Sequence, residues 1–301
     1  MKEPFFTGTC TALVTPFLDG KVNYPMMEQL LRRQMDSGIH AVVLAGTTGE
    51  GATLTDTEKL EMVRRAKNYV ADRCKIIAGT GSNDTAHAVA LSRAAQEVGA
   101  DALLVVTPYY NKATPDGLYA HYAAIASQVD VPVILYNVPS RTGVDLPVSV
   151  CQRLSRLSNI AGLKEASADM GKVAQLLWTC GEALPVWSGS DELTLPAMAL
   201  GASGVISVTS NVFPKETADM VNAALSGDFA SAAAIGRMLY PLTRLLFCEV
   251  NPIPVKAALA AIGFDCGGCR LPLTRLSEEH AARLHKFLKG FPPAALTMNV
   301  N

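Results

Sequence analysis

The chain has 301 residues, of which 49% are hydrophobic and 18% are charged, a composition typical of a compact globular protein. The formal net charge is −1, so no global electrostatic field draws the chain to nucleic acid or to an anionic membrane. No apolar stretch approaches the ~20 residues that span a bilayer, and the first residues do not resemble a secretory signal. The seven cysteines are odd in number and mostly isolated, which favours reduced thiols in a cytoplasmic enzyme.

Eight short apolar runs rich in β-branched residues occur along the chain, and such runs predict strands that are buried on both faces. The predicted strands cover residues 10–14, 41–45, 75–78, 102–106, 133–136, 160–164, 185–187 and 204–208.

Amphipathic stretches lie between these runs, and many begin at Asp, Ser or Thr and end near Gly, as helices do. The clearest cover residues 26–37, 57–70, 85–98 and 116–128. Successive strand–helix units call for parallel strands with right-handed crossovers. An open doubly wound sheet has the same alternation, but the chain lacks its G-x-G-x-x-G fingerprint. We therefore predict an α/β fold of the (β/α)8 or TIM-barrel class.

More residues follow the eighth predicted strand than one barrel helix uses. Helical patterns cover residues 229–247, 253–262 and 278–288. We predict a catalytic barrel over residues 1–226 and an all-helical extension over residues 227–301.

Barrel enzymes place their chemistry where the strands end. Lys164 ends the sixth predicted strand. Its amine is therefore expected to lie among apolar residues at the mouth of the barrel and to act as a nucleophile toward a carbonyl. Tyr136 ends the preceding strand and is expected beside Lys164, where a phenol can carry the protons of imine formation. The alternatives are that Lys164 is a solvated lysine in a loop and that Tyr136 is an aromatic residue that covers the barrel core.

Thr47 and Thr48 lie between two glycines after the second predicted strand. Such a turn lets backbone N–H groups converge on an anion, and the hydroxyls add donors. The turn has no lysine, so a small carboxylate such as that of pyruvate fits better than a triphosphate. Arg141 follows the fifth strand and suits bidentate carboxylate recognition. The alternatives are that Thr47 and Thr48 lie in an ordinary glycine-rich turn and that Arg141 is an ordinary surface arginine.

A metal or cofactor is not expected. The five histidines are scattered, and Cys266 and Cys269 form a single C-x-x-C pair without a second pair to complete a zinc site. A glycine-rich loop with two free thiols is the preferred interpretation. These absences favour imine chemistry that needs no cofactor.

The chain resembles the dihydrodipicolinate synthase family, within the pyruvate-dependent class I aldolases that include N-acetylneuraminate lyase. The likeness runs through almost the whole chain. Its landmarks are residues 15–17, 46–50, 78–81, 107–111, 136–143, 162–165, 188–189, 204–207 and 251–256.

The resemblance implies that Lys164 forms a Schiff base with pyruvate and that Tyr136, Thr47 and Tyr110 relay protons. Tyr110 would reach the active site of a neighbouring subunit in a homotetramer made of two tight dimers. The second substrate would be L-aspartate 4-semialdehyde and the product 4-hydroxy-tetrahydrodipicolinate, which leads to diaminopimelate and lysine. The expected substrate-binding residues are Thr48, Arg141, Gly189 and Ile206.

The chain departs from lysine-inhibited members of that family at their allosteric site. The matching positions hold Asp56, Lys59 and His87, whereas Asn83 and Tyr109 are retained. A glutamate that would pair with the incoming ammonium is lost, and Lys59 adds a like charge. We therefore predict weak or absent inhibition by lysine.

Two alternative functions remain at this stage. A sugar-acid aldolase of the 2-keto-3-deoxygluconate or N-acetylneuraminate type would share the lysine and the tyrosine. A non-catalytic barrel that binds small carboxylates would not need an imine-forming amine. A nicotinamide-dependent dehydrogenase is disfavoured by the missing fingerprint.

Overall fold

The computed structural model describes residues 2–290, so the end of the predicted extension, residues 291–301, lies outside the described part. The strands are β1 (Gly8–Ala12), β2 (Phe17–Leu18), β3 (Lys21–Val22), β4 (Ala41–Leu44), β5 (Lys75–Gly79), β6 (Ala102–Val106), β7 (Val133–Asn137), β8 (Ile160–Glu165), β9 (Val186–Ser188) and β10 (Gly204–Ser207).

The helices alternate with these strands and then continue beyond them. They are α1 (Tyr24–Asp36), α2 (Asp56–Val70), α3 (Thr85–Glu97), α4 (Pro115–Ala126), α5 (Pro139–Thr142), α6 (Val148–Leu154), α7 (Met170–Cys180), α8 (Thr194–Ala199), α9 (Pro214–Leu225), α10 (Phe229–Leu246), α11 (Ile253–Ala261) and α12 (Glu278–Lys289).

Eight parallel strands close into a barrel in the order β1-β10-β9-β8-β7-β6-β5-β4. The strands β2 and β3 form a separate antiparallel hairpin. The predicted (β/α)8 barrel with helices after it is therefore confirmed. Because all eight barrel strands run in the same direction, their carboxyl ends meet at one rim and bring residues from distant parts of the chain together.

The barrel is closed at the opposite end by aromatic packing. The rings of Phe6 and Trp187 stack with their centroids 4.7 Å apart, and Nε1 of Trp187 donates a hydrogen bond to the carbonyl of Phe6 at 3.1 Å. Both side chains belong to an inner apolar cluster that also contains Ile206 and Tyr136. This packing fills the end of the barrel that lies opposite the carboxyl-end rim.

Polar caps fix where several helices begin, as their sequences predict. Thr55 accepts from the N–H of Glu58 while Glu58 accepts from the N–H of Thr55, a reciprocal capping box at the start of α2. Asp84 and Asp169 cap α3 and α7 through their carboxylates. These caps set the ends of the loops that surround the rim.

The helical extension packs against the barrel through α10, which follows α9 closely in the chain. We propose residue 227 as the start of the extension, since Gly227 lies in the turn between α9 and α10 and takes a positive φ of 84°. None of the helices among residues 2–290 is long and apolar enough to cross a membrane.

Candidate active site

Lys164 and Tyr136 lie side by side at the rim. They are directly paired in the register of β7 and β8, and both are 6% exposed. Nζ of Lys164 stands 4.2 Å from the centroid of the Tyr136 ring. Among the described residues Lys164 has neither an ion pair nor a hydrogen bond, so the Tyr136 ring is the contact that its nitrogen leaves when it attacks a carbonyl. The predicted neighbourhood of these two side chains is confirmed.

Gly189 leaves room for the Lys164 side chain. Its N–H donates to the carbonyl of Glu165 at 2.7 Å, which holds the end of β9 against the end of β8. A Cβ at Gly189 would lie 3.1 Å from Cε of Lys164 and 2.7 Å from Cβ of Ala166. Only glycine therefore fits at this position without displacing the lysine.

The turn at residues 46–50 lies across the rim from Lys164. The N–H of Glu50 donates to the carbonyl of Thr47 at 3.1 Å and that of Gly51 to the carbonyl of Gly46 at 3.0 Å, so the backbone folds back on itself. A Cβ at Gly51 would lie 2.1 Å from the carbonyl oxygen of Ala45, which is why a glycine must stand there. Thr48 is buried within this turn.

A cavity of about 650 Å³ opens beside these groups, and its wall includes Thr47, Tyr136, Arg141 and Asn251. Arg141 lies exposed on α5, above Tyr136 in the chain segment that follows β7. No hydrogen bond joins Thr47 to Tyr136 in the described residues. The structure thus brings Thr47, Tyr136 and Arg141 to one cavity without linking them directly, whereas Lys164, Thr48, Gly189 and Ile206 do not contribute to its wall.

Tyr110 does not enter this cavity. It is 88% exposed and takes a left-handed φ of 73° in the loop after β6. This backbone conformation is unusual for a bulky residue. The Tyr110 side chain points away from its own barrel. Lys112, a lysine in the same loop, is also exposed.

The helical extension contacts the turn at residues 46–50 through two side chains, and sequence reasoning missed both contacts. Lys256 of α11 is 3% exposed and donates from Nζ to Oε1 of Glu50 at 2.9 Å and to the carbonyl of Thr15 at 3.0 Å. Asn251 donates from Nδ2 to Oγ1 of Thr48 at 2.9 Å. Both residues stand in a segment that carried the family resemblance, and their roles depend on contacts that the sequence does not show.

Asp191 is a second polar group that sequence reasoning missed, and its side chain is partly buried. Its carboxylate accepts hydrogen bonds from the Ser207 hydroxyl and from the N–H groups of Val208 and Thr209. Burial raises the pKa of Asp191, while these hydrogen bonds and the charge of Lys164 oppose that rise. Asp191 therefore joins the turn after β9 to the end of β10.

The candidate allosteric residues form a small charged cluster. Nε2 of His87 lies 2.7 Å from Oδ2 of Asp56, and Nζ of Lys59 lies 3.3 Å from Oδ1 of the same carboxylate. Burial opposes the change, but hydrogen bonds from His87 and Lys59 hold the pKa of Asp56 below its ordinary value. These three residues and Tyr109 line the same cavity as Thr47, whereas Asn83 does not.

No group of three or more His, Cys, Asp and Glu side chains that could hold a metal ion occurs among residues 2–290. Cys266 is buried and Cys269 partly buried, and both are free thiols. Burial raises the pKa of Cys266 to about 12 and that of Cys269 to about 11, so neither thiol is a ready nucleophile at neutral pH.

The fold and the site define a (β/α)8-barrel protein whose functional cavity lies at the carboxyl ends of the strands, beside a buried lysine. The sequence model of the dihydrodipicolinate synthetase family matches residues 5–291. The chain belongs to this family, and the resemblance in the sequence is confirmed.

Individual relatives agree with that assignment. A protein of Aquifex aeolicus named 4-hydroxy-tetrahydrodipicolinate synthase is 46% identical over 287 residues, which cover 95% of this chain and 98% of the relative. The chloride-inhibited dihydrodipicolinate synthase from Acinetobacter baumannii, solved with pyruvate, is 43% identical with a TM-score of 0.93, covering 94% and 98% of the two chains. A monomeric dihydrodipicolinate synthase variant is 39% identical with a TM-score of 0.93, covering 95% and 96%.

Proposed function

We propose that this chain is a lyase that condenses pyruvate with L-aspartate 4-semialdehyde to form 4-hydroxy-tetrahydrodipicolinate, in the biosynthesis of diaminopimelate and lysine. The observation that carries the proposal is the buried, unpaired Nζ of Lys164 beside the Tyr136 ring. Membership of the family and the names of the relatives support it.

The proposed reaction begins when Lys164 adds to the keto carbon of pyruvate and water leaves, which forms an imine at Nζ. Loss of a proton from the methyl carbon gives an enamine, and this carbon attacks the aldehyde carbon of the second substrate. The amino group of that substrate then displaces Lys164, closes the ring and frees the amine. Tyr136 is the proton carrier in this scheme, with Thr47 and Tyr110, and no metal or organic cofactor takes part.

Two groups would hold the substrate carboxylates. Thr47 and Thr48 bind that of pyruvate through the turn, and Arg141 binds that of the aldehyde from the wall of the same cavity. Gly189 and Ile206 shape the pocket around the imine carbon.

Borohydride reduction in the presence of pyruvate tests the imine. We expect intact mass and peptide mapping to place a reduced pyruvate adduct on Lys164, absent in Lys164→Ala. Lys112→Ala is the matched control, since Lys112 is exposed in a neighbouring rim loop and its loss should leave the adduct unchanged. A folded wild-type protein without an adduct would refute the proposed chemistry and favour a carboxylate-binding barrel.

The aldehyde partner is tested by competing substrates. We expect turnover of L-aspartate 4-semialdehyde and no cleavage of 2-keto-3-deoxygluconate or N-acetylneuraminate. Removal of the guanidinium in Arg141→Ala should raise KM for the aldehyde and leave the adduct with pyruvate intact. The opposite preference would select the sugar-acid aldolases, which share the lysine and the tyrosine.

We propose a cytoplasmic homotetramer in which Tyr110 serves a neighbouring subunit. The outward position of Tyr110 supports this arrangement. Mixed oligomers of Tyr110→Phe and Lys164→Ala should recover activity that neither variant has alone, because one subunit type would supply each missing group. Sedimentation then gives the number of subunits, and a fully active monomer would contradict the proposal.

We also propose that lysine inhibits this enzyme weakly or not at all. The carboxylate of Asp56 is already paired with His87 and Lys59, so an incoming ammonium finds no unpaired anion and meets the like charge of Lys59. Half-inhibition at micromolar lysine would contradict this proposal.

A further inference from the structure

Asn251 connects the helical extension to the carboxylate-binding turn. It precedes α11, is 5% exposed and contributes to the wall of the cavity. Its amide donates to Oγ1 of Thr48 at 2.9 Å, and this is the one side-chain hydrogen bond that the amide makes to a described residue. Oδ1 of Asn251 is buried without a hydrogen-bond partner among those residues.

The direction of this hydrogen bond has a chemical consequence. A threonine hydroxyl has one hydrogen to donate and lone pairs that accept. When Oγ1 of Thr48 accepts from Asn251, the hydrogen of Thr48 remains available for another acceptor. A carboxylate only accepts hydrogen bonds, so it needs this hydroxyl as a donor.

We propose that Asn251 is a positioning residue that orients the Thr48 hydroxyl as a donor to the carboxylate of pyruvate. This inference rests on the proposed function, because it assigns the turn to that carboxylate. Asn251 does not touch the reacting carbon, and its effect is confined to pyruvate binding through Thr48.

The surroundings of Asn251 hold it in place for this task. Lys256, one turn into α11, bonds to Glu50 at the end of the same turn that contains Thr48. The start of α11 therefore contacts the turn at two points, one through each side chain. Lys256 holds the side chain of Glu50, and Asn251 sets the direction of the Thr48 hydroxyl.

Two substitutions at Asn251 separate orientation from simple packing. Asn251→Ala removes the donor, and Asn251→Asp keeps the shape but replaces the donor with a carboxylate. That carboxylate would take the Thr48 hydrogen and repel the pyruvate carboxylate. We expect KM for pyruvate to rise about tenfold in Asn251→Ala and further in Asn251→Asp, while kcat and KM for the aldehyde change less than about threefold.

Controls keep this comparison specific. Asn222 is exposed on α9, so Asn222→Asp introduces the same charge far from the turn and should not alter KM. The pyruvate concentration that gives half-maximal borohydride trapping on Lys164 measures binding without the second substrate. Asn251→Ser, which keeps a small donor, should bind pyruvate better than Asn251→Ala.

A double-mutant cycle with Thr48→Ala completes the test. If Asn251 acts through the Thr48 hydroxyl, Asn251→Ala should weaken pyruvate binding less than about twofold when Thr48 is already alanine. Additive effects, or an Asn251→Asp variant that binds pyruvate better than Asn251→Ala, would overturn the inference. A wild-type protein that traps no pyruvate on Lys164 would instead refute the proposed function itself.

Discussion

Replacing Lys256 with methionine would test how strongly the helical extension supports the active-site turn. Nζ of Lys256 makes three short hydrogen bonds, to Glu50 at 2.9 Å, to the Thr15 carbonyl at 3.0 Å and to the Gly268 carbonyl at 2.8 Å. Methionine keeps the length of the side chain but leaves the Glu50 carboxylate buried without its cation.

The expected loss follows from the burial of this pair. Lys256 and Glu50 are 3% and 4% exposed, so the charge that remains cannot be solvated in place. Removal of one partner from a buried ion pair costs about 3–5 kcal/mol. Glu50 still accepts from the N–H of Arg270 at 2.8 Å, which favours the lower end. At about 2 °C per kcal/mol for a chain of this size, the Tm should fall by about 6–10 °C.

Thermal unfolding of four proteins provides the measurement: wild type, Lys256→Met, Glu50→Gln and the double variant. The double variant removes the uncompensated charge, so we expect it to recover at least half of the loss. Lys215→Met is the matched control, because Lys215 pairs with Asp219 on the exposed face of α9 and should cost less than about 1 kcal/mol. A Lys256→Met variant that melts within about 2 °C of wild type, or a double variant that melts below Lys256→Met, would refute this role of the buried ion pair.

Three further predictions concern single side chains. Gly189→Ala should slow imine formation about tenfold or more, measured by the rate of pyruvate trapping, because its Cβ would come 3.1 Å from Cε of Lys164; an unchanged rate would contradict the fit described for this pocket. Hydrogen bonds from Arg270 outweigh burial and hold the pKa of Glu58 at about 2, below its ordinary 4.5. Its stabilising contribution is therefore present above pH 4.5 and lost as the pH falls to about 2, so urea midpoints of wild type and Glu58→Gln should converge over that range; parallel curves would exclude this linkage. Burial lowers the pKa of His121 to about 4 from 6.5, so the folded state resists protonation and loses stability as the pH falls from 6.5 to 4. The urea midpoint of His121→Gln should fall less than that of wild type over that interval. An equal fall in the two proteins would argue against a buried neutral imidazole.

The sequence predicts the barrel well because buried parallel strands are continuous apolar runs. The fourth barrel strand, β6, occupies the predicted residues 102–106. The first strand was predicted at residues 10–14 and lies at Gly8–Ala12, a correction of two residues. It begins with Gly8 and Thr9, which are buried but weakly hydrophobic, so a search for apolar residues starts too late.

The sequence likewise predicts one part of the candidate site and not the other. Lys164 and Tyr136 can be placed beside each other from the sequence alone, because residues that end neighbouring parallel strands reach the same rim. The hairpin β2–β3 has strands of two residues, too short to show any periodicity. The contacts of Asn251 and Lys256 join residues 203 and 206 positions apart. No local pattern predicts contacts of that range, and only the closed fold shows them.

The contacts between α11 and the turn also concern the order in which the polypeptide is made. Thr48, Tyr136 and Lys164 all leave the ribosome before Asn251 and Lys256, and chains begin to fold from their amino-terminal part during synthesis. A nascent barrel that ends after α9 contains every residue proposed for chemistry but lacks both supports of its carboxylate-binding turn. The contacts that complete this turn therefore form only when translation is nearly finished, so a product that ends after α9 should bind pyruvate more weakly than the whole chain.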